Sequence, residues 1–369
     1  NKAPYIQRTL DSVYAQSCPA DEIIIVNDGS TDGGDLIAKS QRDPRVRVID
    51  QPNQGVSVAR NVGIATASQP YVAFLDADDE WLPGFLARIK EMAGWFPDAG
   101  LYGTGFMTVA GGQEINRYGV RSRSSPCPRV SVLKMFQHRG TGAQRQGSER
   151  PAFGPVAFFK VWQRRHVVHT SSLVVPRGVA LAVGFPVGVA LCEDYEFLAK
   201  VALNHPVILA SDVLVRHDVS VPGQAAEYWQ KGYKKKFEVL QYHRFLAERM
   251  RDICDATGGE REVNGNQQSA IGNRQWGEVL KCESALVGER EANCNEQSFV
   301  LYCGQEFRKA LMQRLYWGNF QAASEFYQTL GLQHRNYGTI VRMCGWISTH
   351  PVVHPVMGSA MRVARWIRG

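Results

Sequence analysis

Between Tyr71 and Trp81 the chain reads Tyr-Val-Ala-Phe-Leu-Asp-Ala-Asp-Asp-Glu-Trp, an apolar run that stops abruptly in Asp76, Asp78 and Asp79. The run Tyr71–Leu75 reads as a buried strand of a mainly parallel sheet. In open α/β sheets the ligand crevice lies beyond the carboxyl ends of the strands. Carboxylates crowded there repel one another unless a cation joins them, and hard divalent cations take oxygen ligands. The chemistry this spacing offers is a metal site that receives a phosphorylated ligand. A second reading stands beside it on this stretch alone: a solvated acidic turn that caps a helix beginning near Pro83.

Two other clusters have the same choice of roles. Glu22–Val26 is a compact β-branched run, hence a strand, and it ends in Asn27-Asp28-Gly29-Ser30-Thr31-Asp32. Asp28 at that strand end can accept a hydrogen bond from a nucleobase or ribose, or it can cap a helix with no ligand present. Arg60 lies near the start of a helix over Val56–Thr66, where it can grip a phosphate in a bidentate manner or sit in a surface salt bridge. Further on, Glu193-Asp194 opens a helical pattern, either as a pair favoured by the helix macrodipole or as a source of a general base.

Elements must hold these residues together, and the pattern supplies them. Tyr5–Gln16 carries Ile6, Leu10, Val13 and Tyr14 at helical spacing. Leu36–Gln41 is a helix, Val46–Ile49 a strand and Phe85–Gly94 a helix, and Ala99–Tyr102 begins a strand that Phe106–Val109 extends. This alternation is that of a nucleotide-binding α/β half. Gly111–Gly154 reads as long loops around one short helix, Val130–Gln137. Val168–Val175 is a strand, Gly184-Phe185-Pro186 a turn, and Val207–Ala210 and Val213–Val215 are the last strands, followed by Arg216-His217-Asp218. From Ala225 the character changes. Tyr228–Arg251 is a long amphipathic helix, a polar linker lies near residues 257–273, and Gln297–Leu315 with Asn319–Leu330 forms a helical hairpin. The stretch Arg335–Gly369 has five arginines and no Asp or Glu, a basic tail that can lie on an anionic membrane surface or pack on the helices.

Composition narrows the class. In 369 residues, 44% are hydrophobic and 21% charged, as in an ordinary folded protein, with a formal net charge of +7. That moderate basic excess suits phosphorylated ligands, an anionic membrane face or nucleic acid without choosing among them. The eight cysteines are scattered with no Cys-x-x-Cys pair, which excludes a zinc ribbon or thioredoxin-type site and reads as reduced thiols of an intracellular protein. No apolar stretch is long enough to span a bilayer, and no signal peptide opens the sequence. Asn1-Lys2-Ala3-Pro4 runs straight into a helix, whereas a doubly wound sheet begins with a strand, so we read the sequence as one whose first strand is missing.

Four ordered segments, Tyr5–Gln16, Ile23–Asp32, Asn53–Gly63 and Tyr71–Trp81, together resemble glycosyltransferase family 2, whose members share the GT-A fold. The resemblance implies an α/β, Rossmann-like sheet flanked by helices over residues 1–222, with a nucleotide-binding part at 1–110 and an acceptor part at 111–222. A helical C-terminal region, 223–369, follows. It also implies roles. The turn carrying Asp28 and the basic Arg60 would contact the nucleotide. Asp76 would face the ribose, and Asp78 would hold a divalent metal, Mn²⁺ or Mg²⁺, bridging the diphosphate. His217 stands where the family often has a histidine that reaches the metal or diphosphate. His169-Thr170-Ser171-Ser172, the Gly184-Phe185 turn and Glu193-Asp194 resemble the family's second signature, which makes Asp194 the general base of an inverting transfer, with Glu193 as its substitute.

The expected reaction is non-processive transfer from a nucleotide-diphosphate sugar, UDP-linked by family habit, to a saccharide or lipid-linked saccharide in surface glycan synthesis. The processive Gln-x-x-Arg-Trp motif is absent: its nearest approach, Val363-Ala364-Arg365-Trp366, has Met361 and Arg362 where Gln is needed. No nucleic-acid partner is implied, and the expected location is the cytoplasm, with peripheral attachment to the inner membrane face through the basic tail. The rivals are a sugar nucleotidyltransferase and a non-catalytic glycan- or partner-binding protein on a transferase core.

Overall fold

A computed structural model gives the fold and describes residues 1–120, 153–156, 158–162, 167–189, 191–222 and 241–257, with residues 299, 302, 303 and 306. The chain divides into two compact units, Asn1–Gln224 and Ala225–Gly369. In the first, the elements run α1 (Ala3–Tyr14), β1 (Ile23–Asp28), α2 (Gly34–Lys39), β2 (Val46–Gln51), α3 (Val56–Thr66), β3 (Tyr71–Ala73), β4 (Glu80–Trp81), α4 (Phe85–Trp95), β5 (Leu101–Ala110), β6 (Gln113–Tyr118), β7 (Phe153–Pro155) and α5 (Phe158–Trp162). A 3-10 turn (Thr170–Ser172) then leads into β8 (Leu173–Pro176), α6 (Arg177–Val183), α7 (Glu193–Asn204) and β9 (Val207–Asp218). The second unit contributes α8 (Gln241–Thr257).

The α/β class with a sheet flanked by helices holds, but the strand directions are mixed rather than mainly parallel. β1 and β2 pair in parallel as a separate two-stranded sheet. The larger sheet runs β3-β8-β5-β9-β4, with β6 on β5 and β7 on β9. Only its central pair, β5 with β9, is parallel, whereas β3–β8, β5–β8, β4–β9, β5–β6 and β7–β9 are antiparallel. An apolar run reads the same in either direction, so pairing alone decides this. β3, expected to be buried, pairs only with β8 among the described residues, and Tyr71 on it is 39% exposed.

Part of the expected long loop is a hairpin. β6 folds back on β5 with Ala110 opposite Gln113, and the two residues between them, Gly111 and Gly112, have φ of +57° and +80°. Glycine adopts that left-handed pair without a Cβ clash, which matches the right-handed twist of the flanking strands. The helix expected at Val130–Gln137 lies outside the described residues, as do the linker near 257–273, the basic tail and most of the helical hairpin. The expected helix Tyr228–Arg251 is described only from Gln241, and it continues to Thr257.

One core ties the site elements together. Ile6, Leu10 and Val13 of α1 and Phe85, Ile89 and Met92 of α4 pack on the sheet against Tyr102, Val174, Ile208 and Val215. Trp81 stacks on Phe85 with ring centroids 4.7 Å apart. A second aromatic group, in which Phe185 stacks on Phe197 at 4.1 Å and Phe74 meets both edge-on, fixes α7 beside the acidic strand end. Burying each such ring contributes roughly 1.5–3 kcal/mol. The two anchors leave the ends of β3, β9 and α7 close together.

Candidate active site

The acidic stretch after β3 is held from beneath by α1. Thr9 Oγ1 donates to the carbonyl of Asp79 at 2.8 Å, and the Trp81 N–H donates to Ser12 Oγ at 3.1 Å. Arg8 Nη2 donates to the Asp78 carbonyl at 2.9 Å and to Asp218 Oδ2 at 2.8 Å. Lys2 Nζ lies 2.8 Å from Asp78 Oδ2. The helical pattern of Tyr5–Gln16 revealed the apolar stripe of this helix but not that its polar face carries the site.

Asp76 and Glu193 meet on Arg60. The guanidinium donates through Nη2 to Asp76 Oδ1 and through Nη1 to Glu193 Oε1, both at 2.9 Å, and lies 5.1 Å from the Phe185 ring centroid. Burial works against the arginine's charge, but the carboxylates of Asp76 and Glu193 outweigh it and raise its pKa. Burial likewise opposes ionisation of Asp76, yet Arg60 and the imidazoles of His169 and His217 hold it below the usual carboxylate range. Arg60 therefore joins the strand end that carries Asp76 to the helix that carries Glu193 and Asp194.

Asp194 lies one residue into α7. Cys192, the residue before the helix, has φ +63°, a left-handed conformation uncommon for a side chain other than glycine. The Tyr195 N–H donates to Asp194 Oδ1 at 2.9 Å, and Thr170 Oγ1 donates to Oδ2 at 3.3 Å. Burial, then the adjacent Glu193 carboxylate, pushes the Asp194 carboxyl up to about 6, against the pull of Arg60. A carboxylate with that value takes up a proton near neutrality, as a general base must.

His217, on β9, makes its bond with Asp79 rather than with Asp78: Nδ1 is 2.9 Å from Asp79 Oδ1. Burial disfavours its charge, but Asp79, Asp76 and Asp78 together raise its pKa. His169 stacks on His217 with centroids 4.2 Å apart, and burial lowers its pKa in spite of Asp79. Asp79, His169 and His217 bring their ligand-type atoms within 4.8 Å of one another. Asp79 counts among the three carboxylates of the acidic run, but neither it nor His169 was expected to have a role of its own. A histidine two residues before a serine, able to accept that serine's N–H, is the one local signal for the pair, and the bond is present at 3.3 Å.

Asp28 braces a loop. Its Oδ1 accepts from Gln51 Nε2 at 2.7 Å and from the Gln54 N–H at 2.8 Å, and Oδ2 accepts from the Gly55 N–H at 2.8 Å. Gly29 beside it has φ +69°, and a Cβ there would come 2.8 Å from the Asn53 nitrogen, so only glycine lets the β1 and β2 loops meet. The two loops together set the start of α3 and hence the place of Arg60.

The donor set suits a hard divalent cation. Asp76 and Asp78 offer carboxylate oxygens and His217 an imidazole; in this structure Arg60 holds Asp76 and Lys2 holds Asp78. Oxygen donors with one imidazole fit Mn²⁺ or Mg²⁺ rather than a thiolate-seeking metal.

Residues 1–161 match the family described as Glycosyl transferase family 2. Among related proteins, the uncharacterized glycosyltransferase YibD of Escherichia coli (strain K12) is 49% identical over 86 residues, 23% of this chain and 25% of that protein. The succinoglycan biosynthesis protein ExoU of Rhizobium meliloti (strain 1021) is 30% identical over 207 residues, 55% of each. The matched region therefore spans between a quarter and about half of these relatives. A crystal structure of S. aureus TarS 1-349 in complex with UDP-GlcNAc has a distant likeness: TM-score 0.47 and 15% identity, covering 91% of this chain and 88% of that one. Among the described residues no helix is long and apolar enough to cross a membrane. The family match, residues 1–161, contains Asp28, Arg60, Asp76 and Asp78.

Proposed function

We propose that the protein transfers one sugar per encounter from a nucleotide-diphosphate sugar, UDP-linked, to a saccharide or lipid-linked saccharide, with inversion at the anomeric carbon. One observation carries this reading: the Asp76 strand end and the Asp194 helix meet on Arg60, and Asp194 there has its carboxyl pushed up to about 6. An acid suited to donor binding and an acid suited to base catalysis thus flank one guanidinium.

In this reading Asp194 removes the proton of the acceptor hydroxyl as it attacks, while Thr170 Oγ1 and the Tyr195 N–H aim its carboxylate. Positioned general-base catalysis contributes about 10²–10⁴-fold. Asp76, freed in part from Arg60, takes the ribose, and the loop braced by Asp28 forms the nucleotide wall. Asp78 and His217 would hold the divalent cation, which neutralises charge on the departing diphosphate when bound. Residues 1–222 would form the transferase domain and 223–369 a helical addition, with the basic tail as a membrane contact.

The test is sugar transfer and donor hydrolysis with a panel of UDP-sugars and Mn²⁺. Activity that is metal-dependent, lost in Asp78→Ala, and lost in Asp194→Asn with donor binding retained is the expected result. Full activity in both variants would overturn the assignment.

A further inference from the structure

We propose that Asp79 is the positioning carboxylate of the site: it fixes the His217 ring through Nδ1, so that Nε2 is the nitrogen offered to the divalent cation. The proposal rests on the metal-dependent reading above and adds a residue to it.

The Asp79 side chain is fully shielded from solvent. Burying a carboxylate costs several kcal/mol, roughly, unless charged or hydrogen-bonding partners compensate. Its partners are divided between its two oxygens. Oδ1 receives His217 Nδ1 at 2.9 Å. Oδ2 accepts the Ser171 hydroxyl at 2.5 Å and lies 3.3 Å from His169 Nδ1. The backbone of Asp79 is equally fixed, with its carbonyl on Thr9 Oγ1 and its N–H on the Asp76 carbonyl at 3.0 Å. Ser171 ties the assembly to the neighbouring acid, since its Oγ also accepts the Asp76 N–H at 3.1 Å.

His217 is thereby held on an edge and a face. Asp79 occupies one nitrogen, and the His169 ring lies against it at 4.2 Å with an interplanar angle of 27°. His169 is set in turn by Phe106, 5.5 Å away, and by the Ser171 N–H on its Nδ1. With Nδ1 engaged, the one ring nitrogen of His217 left for a ligand is Nε2. A carboxylate on the far nitrogen fixes the tautomer and orientation of a metal-binding histidine and makes it more basic. Asp79 itself is a poor ligand, because each of its oxygens already receives a protein donor, His217 Nδ1 on Oδ1 and Ser171 Oγ on Oδ2.

Pulsed EPR on the full chain with Mn²⁺ and UDP tests this, alongside Mn²⁺ titration followed by the free-ion signal. The wild-type protein is expected to bind Mn²⁺ with a nitrogen coupling from one imidazole. The coupling disappears in His217→Ala and persists in His169→Ala. Asp79→Asn, nearly isosteric, weakens Mn²⁺ binding by about 10–100-fold and reduces the nitrogen coupling of the ion that still binds. Unchanged affinity and coupling in folded Asp79→Asn overturns the proposal, as does retained coupling in His217→Ala. Weakened affinity with undiminished coupling also overturns it, by making Asp79 a ligand. If Asp79→Asn does not fold, Ser171→Ala takes its place: loss of one hydroxyl on Oδ2 lowers affinity by about 2–10-fold, scaled down from the outer-shell range, and unchanged affinity counts against the proposal. A wild-type protein that binds no Mn²⁺ with UDP overturns the metal reading itself, a result distinct from all of these.

Discussion

Asp76 and Asp194 border the same guanidinium and titrate in opposite directions. Asp76 has Arg60 at 2.9 Å and two imidazoles nearby, and it stays ionised below the usual range. Asp194 receives one hydroxyl at 3.3 Å and its neighbour's N–H, has Glu193 beside it, and rises to about 6. Distance to the positive charge, weighed against burial and a like charge, separates the two directions. Pairs of acids pushed apart in this way mark the division between a group that binds and a group that moves a proton.

The largest test of this contrast is removal of Asp194, the acid proposed to move the proton. Asp194→Asn is expected to lower kcat by about 10²–10⁴-fold with donor affinity nearly unchanged, read from transfer kinetics and donor titration. Asp76→Asn, on the binding side, is expected to act mainly on donor KM. A reversed pattern would exchange the two assignments.

Next is the pH profile. A base must be deprotonated, so kcat/KM is expected to rise with pH through about 6 and to level above it. Glu193→Gln removes a charge that raises the Asp194 pKa and moves the midpoint down. Arg60→Met removes one that lowers it and moves the midpoint up. Midpoints that stay in place in both variants would assign the profile to another group.

Arg60→Met also strands two carboxylates, and we expect about 1–3 kcal/mol of lost stability by chemical denaturation. The smallest effect is expected at Asp28. Asp28→Asn replaces one of two acceptor oxygens by a donor facing the Gln54 and Gly55 N–H groups, which costs about 1 kcal/mol and raises donor KM without changing kcat.

Much of this site was legible along the chain. The apolar run ending at Asp76, the β-branched run ending at Asp28 and the helix opened by Glu193-Asp194 were readable because each depends on neighbours a few residues away. The β5–β6 hairpin was missed: Gly111-Gly112 marks its turn, but the polar composition of the stretch beyond it reads as loop. Strands 101–110 and 207–218 looked broken because the glycines of β5 and the polar Ser211-Asp212 in β9 interrupt the pattern, while the parallel ladder between them runs on through shifts of register.

The sequence by itself determined the α/β class, most of the helices and strands through β5, and the acidic residues available for chemistry, since periodicity and composition are local properties. The tertiary structure decided the strand directions, the junction of Asp76 and Glu193 on Arg60, and the choice of Asp79 over Asp78 as the partner of His217. Those depend on groups 133 and 138 residues apart in the chain meeting at hydrogen-bond distance. The electrostatics that separate Asp76 from Asp194 arise only there, where burial raises the cost of charge and proximity to Arg60 offsets it unequally.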